Sequence, residues 1–455
     1  MLPRPRQWPA VWSLLRHPSS SRERVLVFRD RCLRRLVRHA YARVPYWRDL
    51  FDRSAVHPQE IRTAADLARL PVTTKQDLQA RPLDQLLACG TSPGDLVSRS
   101  TSGSSGLPFT VRRSRREEDL LRVVVHRVAH EHGLRSTHKH AKVIYPRDEG
   151  SPGLLGPALR SLGLFRRQTF DCRLPPEEIL EQLVAFAPDF VSGYSGTLAR
   201  VARLIDPARR PFQPQAVVTG SEVLTPGMRQ DIARGFGAPV FDTYGSHEFT
   251  RIAYQCRTTG QMHVSDDTVI VEVLRDGRPV RPGERGEIVV TGLHSLTMPF
   301  IRYSLGDLVV RGDDRCGCGQ PYSTIRDLQG RKVDMFVRTD GRFLHPYELM
   351  AAIRDSIESW WITEYQLVQE TRNLVVLRAV PGRRPGPDEV ARIEAAAAAV
   401  LGPAVSFRCD VVGTIPLSQG GKFRTYRSLL RVAGADEPHP IPESTRTRER
   451  VGVAT

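Results

Sequence analysis

A multi-domain α/β (α+β) fold is predicted, with a large N-terminal unit of α/β layers that contains a β-rich part, and a small C-terminal α+β unit. Three observations predict it. The chain has 455 residues, more than one hydrophobic core usually organises. Helix-like and strand-like segments alternate from Arg116 to Val240, as in helices layered on a sheet. Strand-like runs then take over from Thr268 to Val310, and a separate helix-and-strand group starts near Gly330. The expected units are residues 1–329, 330–433 and a flexible polar tail at 434–455.

From Ser21 to about Phe51, Val25, Leu26, Leu33, Leu36 and Val37 recur at helical spacing. Thr73-Thr74 before KQDL is a capping arrangement that starts another helix. The composition then changes abruptly to STSGSSGLPFT between Ser100 and Thr110, a loop of small residues. EEILEQLVAFA, PDFVSGY, GTLARVARLI and QAVVTGSE read as helix, strand, helix and strand. TVIVEVL, EIVVTGL and LVVRG are the strands of the β-rich part. In the small unit, GRFLHPYELMAAIRDSI is a turn and a helix, WITEYQLVQE and NLVVLRAV are paired strands, DEVARIEAAAAAVLG is a helix and VSFRCDVVG a strand.

The formal net charge is +16, and nearly all of that excess is arginine, because only Lys75, Lys139, Lys142, Lys332 and Lys422 are lysines. A basic surface attracts polyanions, ATP included. The arginines are scattered and no nucleic-acid motif accompanies them, so no nucleic-acid partner is expected. The apolar stretch near the start is interrupted too soon for a signal peptide, and no run approaches ~20 apolar residues, so neither a membrane span nor membrane association is expected. A cytoplasmic location follows as the expectation. There, seven cysteines point to metal binding or free thiols rather than to disulfides.

Four segments carry chemistry. Ser102, Gly103, Ser104, Ser105 and Gly106 offer hydroxyls and backbone amides that can wrap a polyphosphate, although a Ser/Gly linker has the same composition. Asp242-Thr243-Tyr244-Gly245-Ser246-His247-Glu248 follows an apolar strand, where an acid is well placed to hold Mg²⁺ on a nucleotide; a solvated turn is the alternative. Arg302-Tyr303-Ser304-Leu305-Gly306-Asp307 could set Asp307 against a ribose diol, or be an ordinary turn. PLSQGGKFR places Lys422 on a flexible loop, where a compact ammonium can neutralise charge as pyrophosphate leaves. A solvated surface lysine is the bland reading of that position.

In this order, the four segments resemble the acyl-adenylating superfamily, and specifically its phenylacetate–CoA ligase-like branch, which includes capsular-polysaccharide-type members. STSGSSGLP is similar to the family's phosphate loop, VTGSE and DTYGSHE to its adenine and magnesium stretch, and RYSLGD to its ribose motif. GRKVDMFV…GRFLHPYEL is similar to the hinge, and PLSQGGKFR to the C-terminal lysine loop. HAYARVPYWRDLFD and LPVTTKQDL extend the resemblance over nearly the whole chain.

The resemblance implies an adenylate-forming ligase with a mobile C-terminal unit that rotates between half-reactions about a hinge within Arg331–Asp334. Ser102, Ser104 and Ser105 would line the phosphates. Gly220, Ser221, Glu222, Asp242 and Tyr244 would border the adenine and acyl pocket, with Thr243, Gly245 and Ser246 in the same cofactor stretch. Glu248, beside His247, would bind Mg²⁺, Asp307 and Arg331 would hold the ribose, and Lys422 would assist adenylation. The acid pocket is expected near Tyr145, Tyr194, Ser195, Gly220 and Tyr244.

Three departures stand out: the phosphate loop has no lysine, for which Arg112 or Arg113 could substitute, His247 stands where Ser or Thr is commoner, and the hinge acid is displaced by one position. The expected substrates are ATP, CoA and a small, aromatic carboxylic acid. A carrier protein or an amine as acceptor, or delivery of AMP itself, are the alternatives.

Cys316-Gly317-Cys318 with Cys256 and His263 upstream is a sound tetrahedral Zn²⁺ set of the structural kind, and similar sets occur in this branch. Reduced loop cysteines are the alternative.

Overall fold

The computed structural model describes residues 8–100, 109–146, 159–331, 335–341, 343–344, 346–357, 361–417 and 422–430. The phosphate loop, the hinge residues 332–334 and the tail lie outside the described residues.

The helices form where the spacing and caps dictate. Arg22–Arg43 starts at Ser21, whose side chain accepts the Arg24 N–H, and buries Val25, Leu33, Leu36, Val37 and Ala40 on one stripe. It stops at Val44, which is extended at φ −118° because a proline follows, and Pro45 then opens the helix Pro45–Arg53. Thr74 and Asp77 close a capping box over Lys75–Gln79, as the sequence predicts.

One sheet of twelve strands runs through the large unit. At one end Arg167–Asp171, His140–Ile144, Phe190–Tyr194, Ala216–Gly220 and Val240–Tyr244 lie side by side and parallel. Buried on both faces, these strands read as apolar runs rather than as alternations; Val191, Val217, Ala141 and Val143 are fully buried. The helices Pro176–Phe186, Ser195–Arg203 and Pro226–Phe236 connect them. The chain order reverses on either side of His140–Ile144, whose two neighbours are Arg167–Asp171 and Phe190–Tyr194. In open α/β sheets, ligands bind outside the carboxyl ends of the strands at such a reversal.

The sheet continues, antiparallel, through Ala253–Gln255, Met262–Val264, Thr324–Arg331, Tyr303–Arg311, Arg285–Gly292, Val269–Arg275 and Arg278–Pro279. This half packs against the N-terminal helices in a core that includes Trp47, Phe51, Phe249 and Phe300. The small α+β group has a four-stranded sheet in the order Ser406–Val411, Leu374–Pro381, Ile362–Thr371, Tyr426–Ser428. Helices Pro346–Asp355 and Pro387–Leu401 cover it, and Leu349, Ile353, Trp361, Ile393 and Ala397 form its own core. Trp361 is thus a core residue, and the Ala-rich helix uses its small side chains to pack. Among the described residues no helix is long and apolar enough to cross a membrane.

Candidate functional site

The carboxyl edge of the parallel strands collects the residues that the sequence singled out. Tyr145 follows the strand His140–Ile144, with the Arg173 guanidinium 4.7 Å from its ring centre. Tyr194 ends the next strand, and Ser195 opens the helix after it, fully buried and with no hydrogen-bond partner for its hydroxyl among the described residues. Gly220 ends the third strand; a Cβ there would lie 2.7 Å from the Thr243 Oγ1, so only glycine lets the two strand ends approach. Ser221 turns the chain away at φ 68°. Tyr244 ends the fourth strand, and Gly245 allows the turn into Ser246, His247 and Glu248, since a Cβ would meet the Thr250 carbonyl at 2.0 Å.

Asp242 sits one step back from this edge. Its Oδ1 accepts from the Thr219 hydroxyl at 2.8 Å and from the Thr243 N–H at 2.9 Å, while the Thr243 hydroxyl donates to the Thr219 carbonyl at 2.6 Å. Burial pushes the Asp242 carboxyl up, and those two donors oppose it. The acid therefore ties the third and fourth strands together at their ends.

The turn with Glu248 is braced from outside. Glu248 is buried, and the Tyr303 hydroxyl donates to its Oε1 at 3.3 Å. The Arg113 guanidinium donates to the carbonyl oxygens of both His247 and Glu248. It also lies 3.5 Å from the Glu118 carboxylate. The sequence offered Arg112 or Arg113 as a replacement for the missing phosphate-loop lysine. Arg113 is buried at 2% exposure, with Nη2 on those carbonyls and Nη1 facing Glu118, while the phosphate loop it would serve lies outside the described residues. Ser102, Gly103, Ser104, Ser105 and Gly106 lie outside the described residues, between strands Val97–Ser100 and Thr110–Arg113, which pair from Ser100 to Thr110.

Asp307 comes to the same edge from the antiparallel half. The Tyr244 hydroxyl donates to its Oδ2 at 2.6 Å, and the Arg331 guanidinium is 3.6 Å from its Oδ1 across the paired strands. Burial pushes the Asp307 carboxyl up, with Arg331 and the Tyr244 bond acting against it; Tyr244 itself titrates well above its ordinary value, chiefly through burial. One of its oxygens is thus held by an aromatic hydroxyl, beside a cation.

The C-terminal lysine reaches this edge too. Lys422 Nζ lies 5.7 Å from the Tyr194 ring centre. The next residue, Phe423, donates its N–H to Glu222 Oε1 at 2.5 Å, and Gly196 donates to Oε2 at 2.7 Å. Residues far apart in the chain, from Tyr145 to Lys422, share one rim.

The cysteine set converges as well. The ligand atoms of Cys256, His263, Cys316 and Cys318 all lie within 4.8 Å of one another. Tetrahedral Zn–S bonds set neighbouring ligands roughly 3.8 Å apart, so the set fits a four-coordinate structural ion. The Thr258 and Thr259 amides point at Cys256 Sγ (3.4 and 3.5 Å) and the Gln320 amide at Cys318 Sγ (3.4 Å), donors that suit thiolates. His138, Lys139 and His140 form no such group: His140 is bonded to Ser192, and Lys139 to the Phe186 carbonyl.

Three parts of this arrangement have no local sequence signal: the Arg113 brace, the Tyr303–Glu248 contact and the use of Glu222 by Phe423. Each joins residues 55 to 201 positions apart, and only the folded chain shows them.

No family model matches the chain. It is 28% identical over 358 residues to the phenylacetate-coenzyme A ligase of Thermus thermophilus, spanning 76% of this chain and 78% of that protein. It is 29% identical over 321 residues to the ligase of the same name from Escherichia coli, spanning 66% and 70%. Among solved structures, 2-hydroxyisobutyryl-CoA ligase in its postadenylation state superposes with a TM-score of 0.71 at 20% identity, over 88% of each chain. The same ligase in its thioesterification state gives 0.59 at 22% identity, over 89% and 90%. By fold and by these likenesses the chain is an enzyme of the adenylate-forming ligase type, similar along most of its length to the phenylacetate–coenzyme A ligases.

Proposed function

We propose that this enzyme is an ATP-dependent acid–CoA ligase that converts a small, aromatic carboxylic acid to its acyl-AMP and then to a CoA thioester. The single observation that carries the reading is Lys422 seated at the carboxyl edge beside Tyr194, with its loop fastened to Glu222. In the first half-reaction a carboxylate oxygen of the acid attacks the α-phosphorus of ATP, and the bond to pyrophosphate breaks with its electron pair leaving on pyrophosphate. The Lys422 ammonium is suited to match the negative charge gathered between the two anions. Asp307, held by Tyr244 and faced by Arg331, is suited to accept the ribose hydroxyls. Tyr145 and Tyr194, on either side of the strand-order reversal, supply aromatic walls for a ring-bearing acid.

Glu248 is the residue proposed to hold Mg²⁺, which when bound offsets phosphate charge. Its own part is to keep a carboxylate fixed at the end of a turn that Arg113 and Tyr303 immobilise. In the second half-reaction the CoA thiol, losing its proton, attacks the acyl carbon and AMP leaves. A good leaving group makes this step need little more than a positioned thiol. The Cys256, His263, Cys316 and Cys318 set is proposed to hold one structural Zn²⁺ away from this chemistry.

The test is a reaction of the protein with ATP, Mg²⁺, CoA and a panel of aromatic acids, read by mass spectrometry. An acyl-CoA formed together with AMP supports the reading. ADP as the nucleotide product, or acyl-AMP that never yields a thioester, contradicts it.

A further inference from the structure

The residue that fastens the lysine loop is one that the sequence placed in the adenine and acyl pocket. We infer that Glu222 is a positioning residue for Lys422: its carboxylate clasps the Phe423 N–H with one oxygen and the Gly196 N–H with the other, and so locks the small C-terminal unit in the arrangement that adenylates. The inference rests on the adenylation reading of the site given above.

Both oxygens are engaged at short distances, 2.5 Å to Phe423 and 2.7 Å to Gly196. Gly196 belongs to the first turn of the nine-residue helix Ser195–Arg203, so the carboxylate also lies at the positive end of that helix. The absence of a side chain at Gly196 is what admits the loop, because a Cβ there would stand 2.6 Å from the Phe423 Cβ. Phe423 is buried in the same core as Val191, Tyr194 and Leu198 of the large unit. The Arg200 guanidinium lies 5.7 Å from the Phe423 ring centre.

A second fastening works on the same helix. Arg200 donates to both oxygens of Glu364, at 2.8 and 2.5 Å, and to the Ile415 carbonyl at 2.5 Å. Arg203 joins Asp231 at 2.8 Å and donates to the Thr363 carbonyl. Those contacts hold the strand Ile362–Thr371 to the helix but say nothing of where Lys422 goes. Glu222 alone among these groups bonds the residue next to the lysine.

Its chemistry makes the clasp conditional. Burial pushes the Glu222 carboxyl up to about 7, against the Gly196 and Phe423 amides and the Lys422 and Arg200 charges. When the small unit departs, the Phe423 N–H and the ammonium leave together. The carboxylate then keeps the Gly196 amide and gains water. Lys422 and the Phe423 N–H that fastens it are therefore present at the rim as a pair or absent as a pair.

Glu222→Gln keeps the shape and replaces one acceptor oxygen by a donor that opposes an N–H. The expected result is a fall of about 10- to 100-fold in acid-dependent pyrophosphate exchange. Thioester formation from supplied acyl-AMP and CoA, for which the clasp is not needed, should fall at least about tenfold less than the exchange does. Gly196→Ala, which wedges the loop away without touching a charge, should give the same split. Hydrogen exchange of the unliganded full chain should show residues 422–425, around the clasped Phe423 amide, losing protection in both variants, with the paired strands Ile362–Thr371 and Tyr426–Ser428 unchanged.

Equal loss of both half-reactions, or unaltered exchange and unaltered protection, overturns the inference. A parent protein that shows no exchange with any acid contradicts the adenylation reading instead. The loss of protection at 422–425 then still decides whether Glu222 clasps the loop.

Discussion

At the scale of single residues, the site depends on groups whose partners come from distant parts of the chain. Tyr244 and Asp307 each stand in a segment that sequence reading identified, yet their 2.6 Å bond spans 63 positions and no local pattern announces it. Tyr244→Phe leaves a buried carboxylate one donor short, which typically costs about 1–3 kcal/mol. A rise of about tenfold in the KM for ATP is expected, with the exchange rate at saturating ATP little changed; initial rates over an ATP series measure it. Lys422→Ala removes the only side-chain ammonium seen at the rim among the described residues. It should lower acyl-AMP formation by about 100- to 1000-fold, the scale of losing one preorganised charge donor, while supplied acyl-AMP is still converted to thioester. Equal loss of both steps would contradict the assignment. Arg113, whose place in the string suggested phosphate, is buried with Nη2 on backbone carbonyls.

At the scale of elements, the same sheet that carries the chemistry is anchored by polar contacts far from it. Asp267 is fully buried and accepts from Arg127 at both oxygens, from Tyr322 at 3.1 Å and from His17 at 2.9 Å. Ser13 stands 3.0 Å from the other His17 nitrogen. The order Ser13–His17–Asp267 is that of a nucleophile relay, but Arg127 already matches the carboxylate charge, and Ser13 lies within the helix Trp8–Arg16, whose amides are committed to its own carbonyls. The set is an anchor for that helix.

Burial opposes the charge on Asp267, and Arg127 more than offsets it, so the carboxyl stays below the usual carboxylate range. A depressed folded value stabilises the protein above the unfolded value of 3.8 and is lost as pH falls below it. Denaturant unfolding should thus show stability declining below about pH 4. At pH 7 Asp267→Asn should cost about 3–5 kcal/mol, because Arg127 keeps an uncompensated buried charge.

A zinc ion on the Cys256, His263, Cys316 and Cys318 set would make it a second anchor, between strand Met262–Val264 and the turn at 316–318. Metal analysis should find about one zinc per chain, and Cys316→Ser should lose it and lower the Tm. A stable protein without metal would end the zinc proposal.

At the scale of the whole molecule, the layered α/β half, the β-rich half and the small α+β group were all legible in the sequence. Hydrophobic spacing and turn residues are local signals, and Thr74 caps its helix where expected, whereas Pro45 divides the stretch from Ser21 to Phe51, read as one, into two helices. What the string could not show was the union of the parallel and antiparallel halves in a single twelve-stranded sheet. Nor could it show the helix Ser195–Arg203 as the seat of the small group. The halves join where Tyr244 pairs with Ala253 and His263 with Thr324, and the small group is seated by Arg200 and Glu364, 164 positions apart. The site followed the same rule: Glu248, Asp307 and Lys422 could be named, while their supports Tyr303, Arg113 and Glu222 came from the fold.

If this rim joins an acid to AMP, labelled pyrophosphate exchanges into ATP. With a panel of aromatic acids, exchange should require both Mg²⁺ and an acid, and Lys422→Ala should remove nearly all of it. Exchange that proceeds without any acid, or none across the panel, would contradict the adenylation reading.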